Sequence, residues 1–418
     1  MTIPGLLHRR TVSGLRRCRV GLGHLPCRAA LIVLSALFVA CAETGADDDY
    51  RLETLESGVS HAVNLAPSAA DPDERWAATV SLQLGELDGE GPEVFGAVTA
   101  LEVDDDGSIY VLDGQAQEIR VFASDESYLR SMGGRGEGPG EFTGAAGLNW
   151  SPDSRLWVWD PRLARFSAFT PSGEFTTVAQ RRVLGVVYPW AGDLVDPGSM
   201  IDWGVDFPEM TSSMDPGRIR LFHPVRTDLT NGTFDSLPPL RYEAESNIDP
   251  RAPFHGGLTF TLGPGNRIWF ATTTDYRIHG RTLAGDTVLV ISLRGVEPEL
   301  VTAAERDSIL RRPDPIGEAT GNRLAADQIP SIKPILARLV TDGEGTLYVF
   351  PRVPLGAAGT LVDIFETREG RYLGRVTLPV QLVLNPPPVA VPGALVGVTR
   401  GELDVPHVVR ITISRRQP

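Results

Sequence analysis

Gly89-Glu90-Gly91-Pro92-Glu93-Val94-Phe95 returns 47 residues later as Gly136-Glu137-Gly138-Pro139-Gly140-Glu141-Phe142. The same shift carries Asp106 onto Asp153, Ile109-Tyr110-Val111 onto Leu156-Trp157-Val158, and Asp113 onto Asp160. Four landmarks in register without a gap define a repeat. Within the unit, Ala100 to Val103, Ser108 to Leu112, Glu118 to Ala123 and Tyr128 to Met132 read as four short strands. They are rich in Ile, Tyr, Val and Phe, and turn residues such as Asp105-Asp106-Gly107 separate them.

A period in the forties built from such units predicts an all-β chain, specifically a six-bladed β-propeller. Leu339 to Val349 reproduces the strand-turn-strand core almost completely, with Leu361 to Glu366 and Arg371 to Val376 as its outer strands. Looser copies are Arg267 to Phe270 with Asp275 to Ile278, then Ser199 to Val205 with Arg218 to His223 and Thr233 to Leu237. Leu395 to Thr399 and Val408 to Ile413 form an incomplete last unit. Six is the count, with five and seven left open by the loose copies. Shifting Tyr128 to Gly133 back by one period lands on Ser81 to Glu86. An N-terminal strand there corresponds to an outermost blade strand with no blade before it, so it is expected to pair with the last blade and close the ring. Closure removes the free sheet edges of an open array.

The unit resembles the NHL-type repeat, and the whole resembles bacterial lipoproteins built as six-bladed β-propellers. Gly134 to Phe142, Asp106-Gly107, Ile109-Tyr110-Val111, Asp113 and Ile119 to Phe122 carry the resemblance. What it implies is a fold; it implies no activity.

Residues 1–40 read as a lipoprotein-type signal peptide. Six arginines and no carboxylate precede the apolar run Ala29 to Ala40, which is too short to span a bilayer. A start near Val20 gives a leader of more usual length. The run ends Leu37-Phe38-Val39-Ala40-Cys41, which resembles a lipobox, with Phe38 where Leu is usual. Cys41 is therefore the candidate lipid attachment site. Cys18 and Cys27 leave with the leader, so the mature chain keeps one cysteine and no disulfide within it. Residues 41–75 lack sustained periodicity and are expected to be a flexible acidic tether. The propeller is expected over 76–418, with a short helical insertion near 298–330. There Thr302-Ala303-Ala304-Glu305 has the form of a capping box, Glu305 to Leu310 reads as a helix, and Asn322 to Gln328 as a further turn or two.

The chain has a formal charge of −14; without the six leader arginines, 33 Lys and Arg face 53 Asp and Glu, a formal −20. That balance argues against binding nucleic acid and against attraction to anionic headgroups, so the membrane link is expected to be the acyl chains. Gly133 to Gly140 invites a phosphate-loop reading, but no G-K-[ST] follows and a strand rather than a helix comes next. His223, His255, His279 and His407 are the histidines available to a metal in the propeller, with no two at close ligand spacing. No G-x-S-x-G elbow is present. Trp150, Trp157, Trp159, Trp190 and Trp203 cluster in the second and third units and read as packing between blades, or as a stacking surface if exposed.

No catalytic, cofactor or metal residue is assigned from sequence, and no cofactor is expected. The expected function is a cell-envelope module anchored by lipid, facing the periplasm or on the outer membrane. It serves as a binding or scaffold unit for a protein, peptide or glycan at a propeller face. The alternative is a propeller hydrolase or lyase, lactonase-like or peptidylglycine-lyase-like, with a metal on the axis; it requires three or more ligands converging there.

Overall fold

The computed structural model describes residues 49–66, 75–182, 192–204, 219–243, 248–249, 251–353 and 359–416. Cys41 and the whole leader lie outside them. Six antiparallel blades follow one another along the chain. Blade 1 is Val98–Val103, Ile109–Asp113, Glu118–Phe122 and Tyr128–Gly133, within two residues of the strands expected from sequence. Blade 2 is Gly147–Trp150, Leu156–Asp160, Arg165–Phe169 and Phe175–Gln180. Blade 3 has Asp193–Asp196, Ser199–Gly204 and the long Ile219–Asp228, whose outer edge pairs with both Phe234–Ser236 and Leu240–Glu243. Blade 4 runs from Leu258–Gly263 to Thr287–Arg294, and blade 5 from Leu336–Thr341 to Tyr372–Thr377.

Blade 6 has a broken innermost strand, Leu382–Val383 and Val389–Val391, then Ala394–Arg400 and Pro406–Arg415. Its outermost strand comes from the other end of the chain: Trp76–Leu84 pairs antiparallel with Pro406–Arg415, from Leu84 opposite Val408 to Trp76 opposite Arg415. The chain is thus a six-bladed β-propeller closed by its N-terminal strand. Six apolar clusters fill the six spaces between neighbouring blades, and the one between blades 6 and 1 holds Leu82 and Leu84 against Val396, Val398 and Val408.

The repeated aspartates turn out to be ties. Asp113 accepts from the backbone N–H groups of Gly96 (2.9 Å), Ala97 (3.2 Å), Gln115 (2.9 Å) and Ala116 (3.1 Å). One period later Asp160 accepts from Thr143, Gly144, Arg162 and Leu163 at 2.8–3.1 Å. Each carboxylate binds the loop entering a blade to the end of that blade's second strand, satisfying amides that no ladder reaches. The Gly-rich loop is equally occupied: Gly136 N–H donates to Phe142 O (2.9 Å), Gly138 N–H to Glu141 Oε2 (2.8 Å), and Arg165 donates to the carbonyls of Gly138 and Glu141. Gly133 is required here, at φ 84° and with the Phe142 ring where a Cβ would stand.

The tether expected over 41–75 is not a tether throughout. Tyr50–Thr54 and Ser60–Leu65 form a hairpin, and Ser60–Leu65 pairs in parallel with the outer strand of blade 4, Thr287–Arg294. Ala62 and Val63 are buried, while Asn64 donates to Gly370 O (2.9 Å) and accepts from Tyr372 N–H (2.8 Å), both in or beside blade 5. His61 and Asn64 interrupt the apolar pattern that would have marked a strand. Their partners, Ser292 Oγ for His61 (2.9 Å) and the blade 5 backbone for Asn64, exist only in the folded ring.

The insertion between blades 4 and 5 contains α1 (Ala303–Arg311), with the capping box in place, and α2 (Pro315–Thr320), which sequence reading missed. The expected further turn is a 3-10 turn at Ala326–Gln328. Val301, Ile309 and Ile329 pack with Phe254 and Leu324 under it. Lys333, the chain's single lysine, pairs with Glu299 (3.1 Å) and Glu305 (2.9 Å) and stands over the Phe254 ring. It holds the Glu305 carboxyl down to about 2, aided by the cap hydrogen bonds from Thr302. The insertion is a packed connector, and none of its residues lines the axial cavity.

Candidate functional site at the axial channel

Innermost strands converge on the ring axis, where they enclose a cavity of about 690 Å³. It reaches the turns joining first and second strands in blades 1 and 2, at Asp104–Asp106 and Ser151–Ser154. Strand alternation decides what faces it. In blade 1, Leu101 and Val103 point into the space shared with blade 6, so Glu102 between them lies on the opposite face, toward blade 2, where it lines the cavity. In blade 3, Leu194 is buried against blade 2 and Asp193 turns to the cavity. Asn149 of blade 2 donates from Nδ2 to Gly192 O (2.7 Å), fixing the residue that precedes Asp193.

These two carboxylates are the perturbed acids of the axis. Burial pushes Glu102 up to about 8, with the charge of Asp193 adding to the rise and the Val103 N–H opposing it. Burial likewise pushes Asp193 up to about 7, against a hydrogen bond from Leu194 N–H to Oδ1 at 2.8 Å. No cation among the described residues counters either rise. Both side chains nonetheless keep part of their surface open to the cavity. Desolvation, and for Glu102 the neighbouring Asp193 charge, make both acids hold their protons more tightly than ordinary carboxylates do.

Trp150 and Arg338 line the same cavity. Trp150 stands edge-on to Tyr110 at 5.1 Å, and its Nε1–H has no acceptor among the described residues. Of the other tryptophans singled out in the sequence, Trp157, Trp159 and Trp203 are buried between blades 2, 3 and 4, and Trp190 lies outside the described residues.

The four histidines do not meet. His279 stacks on Phe270 at 5.2 Å in blade 4, His255 bonds the Ala252 carbonyl (2.9 Å), His407 the Val405 carbonyl (3.2 Å), and His223 sits in blade 3. None lines the cavity. Among the described residues no group of three or more His, Cys, Asp or Glu is placed to hold a metal ion. Glu102, Asn149, Asp193 and Arg338 were not singled out in the sequence. The readable signal was a polar residue at an alternate position of an innermost strand, as in Ala100-Leu101-Glu102-Val103.

No protein-family model matches the chain. No curated protein matches it by sequence. Its structure is similar to an exported protein of Bacteroides fragilis NCTC 9343 (TM-score 0.50, 11% identity, covering 85% of this chain and 99% of that one). It is also similar to a member of the DUF4221 family from Bacteroides vulgatus ATCC 8482 (TM-score 0.52, 11% identity, 82% and 99%). At this identity the likeness is one of fold.

Proposed function

We propose that this chain is a lipid-anchored envelope propeller that binds, without transforming it, a ligand bearing a protonated amine or guanidinium in its axial cavity. The observation that carries the reading is the pair Glu102 and Asp193, two acids on one cavity with no cationic partner among the described residues. A concave chamber of this size with few convergent polar groups of perturbed acidity is the usual form of a small-ligand site. A cation there supplies the counter-charge that the fold omits.

Calorimetric titration with n-pentylamine at pH 8.5, with pentanol as the neutral control, tests this. The amine binds, the alcohol does not, and Glu102→Gln with Asp193→Asn weakens amine binding at least tenfold. Equal binding of amine and alcohol, or none, sinks the reading. Binding of the amine strengthens from pH 5.5 to 8.5 as the two acids ionise through about 7 and 8. Stability runs the other way. Both acids titrate higher folded than unfolded, so the fold loses stability as pH rises from the ordinary carboxylate range to about 8. The double variant is therefore expected to melt higher than wild type at pH 8.5, by a margin that vanishes near pH 4.

The anchor is part of the same proposal. Its support is the run Leu37 to Cys41 behind a basic leader. Among the described residues no helix is long and apolar enough to cross a membrane. Fewer than ten residues separate Cys41 from the hairpin that begins at Tyr50, which limits the reach of the link to about 30 Å. Labelled palmitate is incorporated by the wild type and not by Cys41→Ala, which partitions to the soluble fraction. Label retained by the variant, or never incorporated, would overturn the anchor and leave the axial site standing.

A further inference from the structure

Arg338 enters the cavity from the innermost strand of blade 5. One of its guanidinium nitrogens, Nη2, donates to Leu384 O at 3.0 Å, and its Nε has no acceptor among the described residues. Burial alone lowers its basicity; neither axial carboxylate acts on it, and it acts on neither of them. Opposite charges in contact would neutralise one another. Here they share one chamber and stay apart, each desolvated without its counter-charge.

A ligand that meets both demands carries a cation at one end and an anion at the other. We propose that the axial cavity binds a short peptide as its zwitterion, with the α-amine at Glu102 and Asp193 and the terminal carboxylate at Arg338. This rests on the cation reading of the same cavity and adds the second pole. A volume of about 690 Å³ lies within the 300–1,000 Å³ typical of pockets for compact ligands. Complementary poles fix the direction of the bound chain and exclude ligands with one charge or with the charges at the wrong spacing.

Calorimetry at pH 7.5 with trialanine, its C-terminal amide and its N-acetyl derivative separates the two readings using wild-type protein alone. Trialanine binds, and each blocked form binds at least tenfold more weakly. Arg338→Gln lowers trialanine to the level of the amide and leaves the amide unchanged, its melting curve serving as the control for folding. An amide that binds as tightly as the free acid overturns the second pole and leaves the cation reading intact. So does trialanine that fails to bind while n-pentylamine binds. An N-acetyl form as tight as trialanine overturns both.

Discussion

Removal of residues 1–86 is expected to leave a chain that cannot close and that aggregates when expressed. The loss is concentrated in Trp76–Leu84. This strand satisfies the outer edge of Pro406–Arg415 along its length and places Leu82 and Leu84 in the core between blades 6 and 1. Each buried leucine contributes about 1.5–3 kcal/mol, and the exposed edge presents unpaired N–H and C=O groups to other copies. Together these approach the 5–15 kcal/mol that holds a typical domain folded. The full-length variant Leu84→Asp isolates the effect, since it places a charge where the side chain is fully buried. Its thermal unfolding should fall by well over 10 °C or lose cooperativity. A synthetic peptide of residues 75–86 added to the truncated chain should recover soluble protein. If the truncated chain stays monomeric and melts as wild type does, the ring is closed by something other than this strand.

Asp363→Ala is the second large effect. Asp363 is fully buried in blade 5 and accepts from Tyr276 Oη of blade 4 (2.6 Å), from Tyr372 Oη (3.0 Å), and from Arg375 Nε and Nη2 (2.8 and 2.9 Å). Burial, and then the Asp363 charge, push the Tyr276 hydroxyl well above its ordinary value, so that it stays a donor across the whole useful pH range. Removing the carboxylate breaks four hydrogen bonds from three side chains at once and costs about 3–5 kcal/mol, the scale for breaking a buried charge pair from one side. Tyr276→Phe removes a single bond and should cost about 1 kcal/mol. Denaturant melts of the two variants decide the matter: equal losses would mean that the network is no more than one hydrogen bond.

Both predictions concern joints between distant parts of the chain, and sequence revealed the two joints unequally. The closing strand was legible because a repeat has a phase: extending the period backwards from Tyr128 to Gly133 lands on Ser81 to Glu86, part of which is in the strand that forms. The Asp363 network was not, since nothing in Leu361 to Glu366 names Tyr276 as its partner 87 positions away. The hairpin at Tyr50–Leu65 escaped for a related reason: its polar residues look like a solvated segment until Ser292, Gly370 and Tyr372 are brought beside them.

Local periodicity set the strands and turns of blades 1, 2 and 5 and the capping box of α1, and it pointed to six blades with five and seven left open, because each depends on residues within a few positions of one another or on a phase that repeats. The axial site depends on neither. Glu102, Asn149, Asp193 and Arg338 come from four blades and are spread over more than half the chain. Each is one polar residue in its own strand. Only closing the ring brings them to one cavity, and only there does desolvation turn ordinary side chains into acids that titrate near neutrality and a guanidinium that is left without its counter-charge.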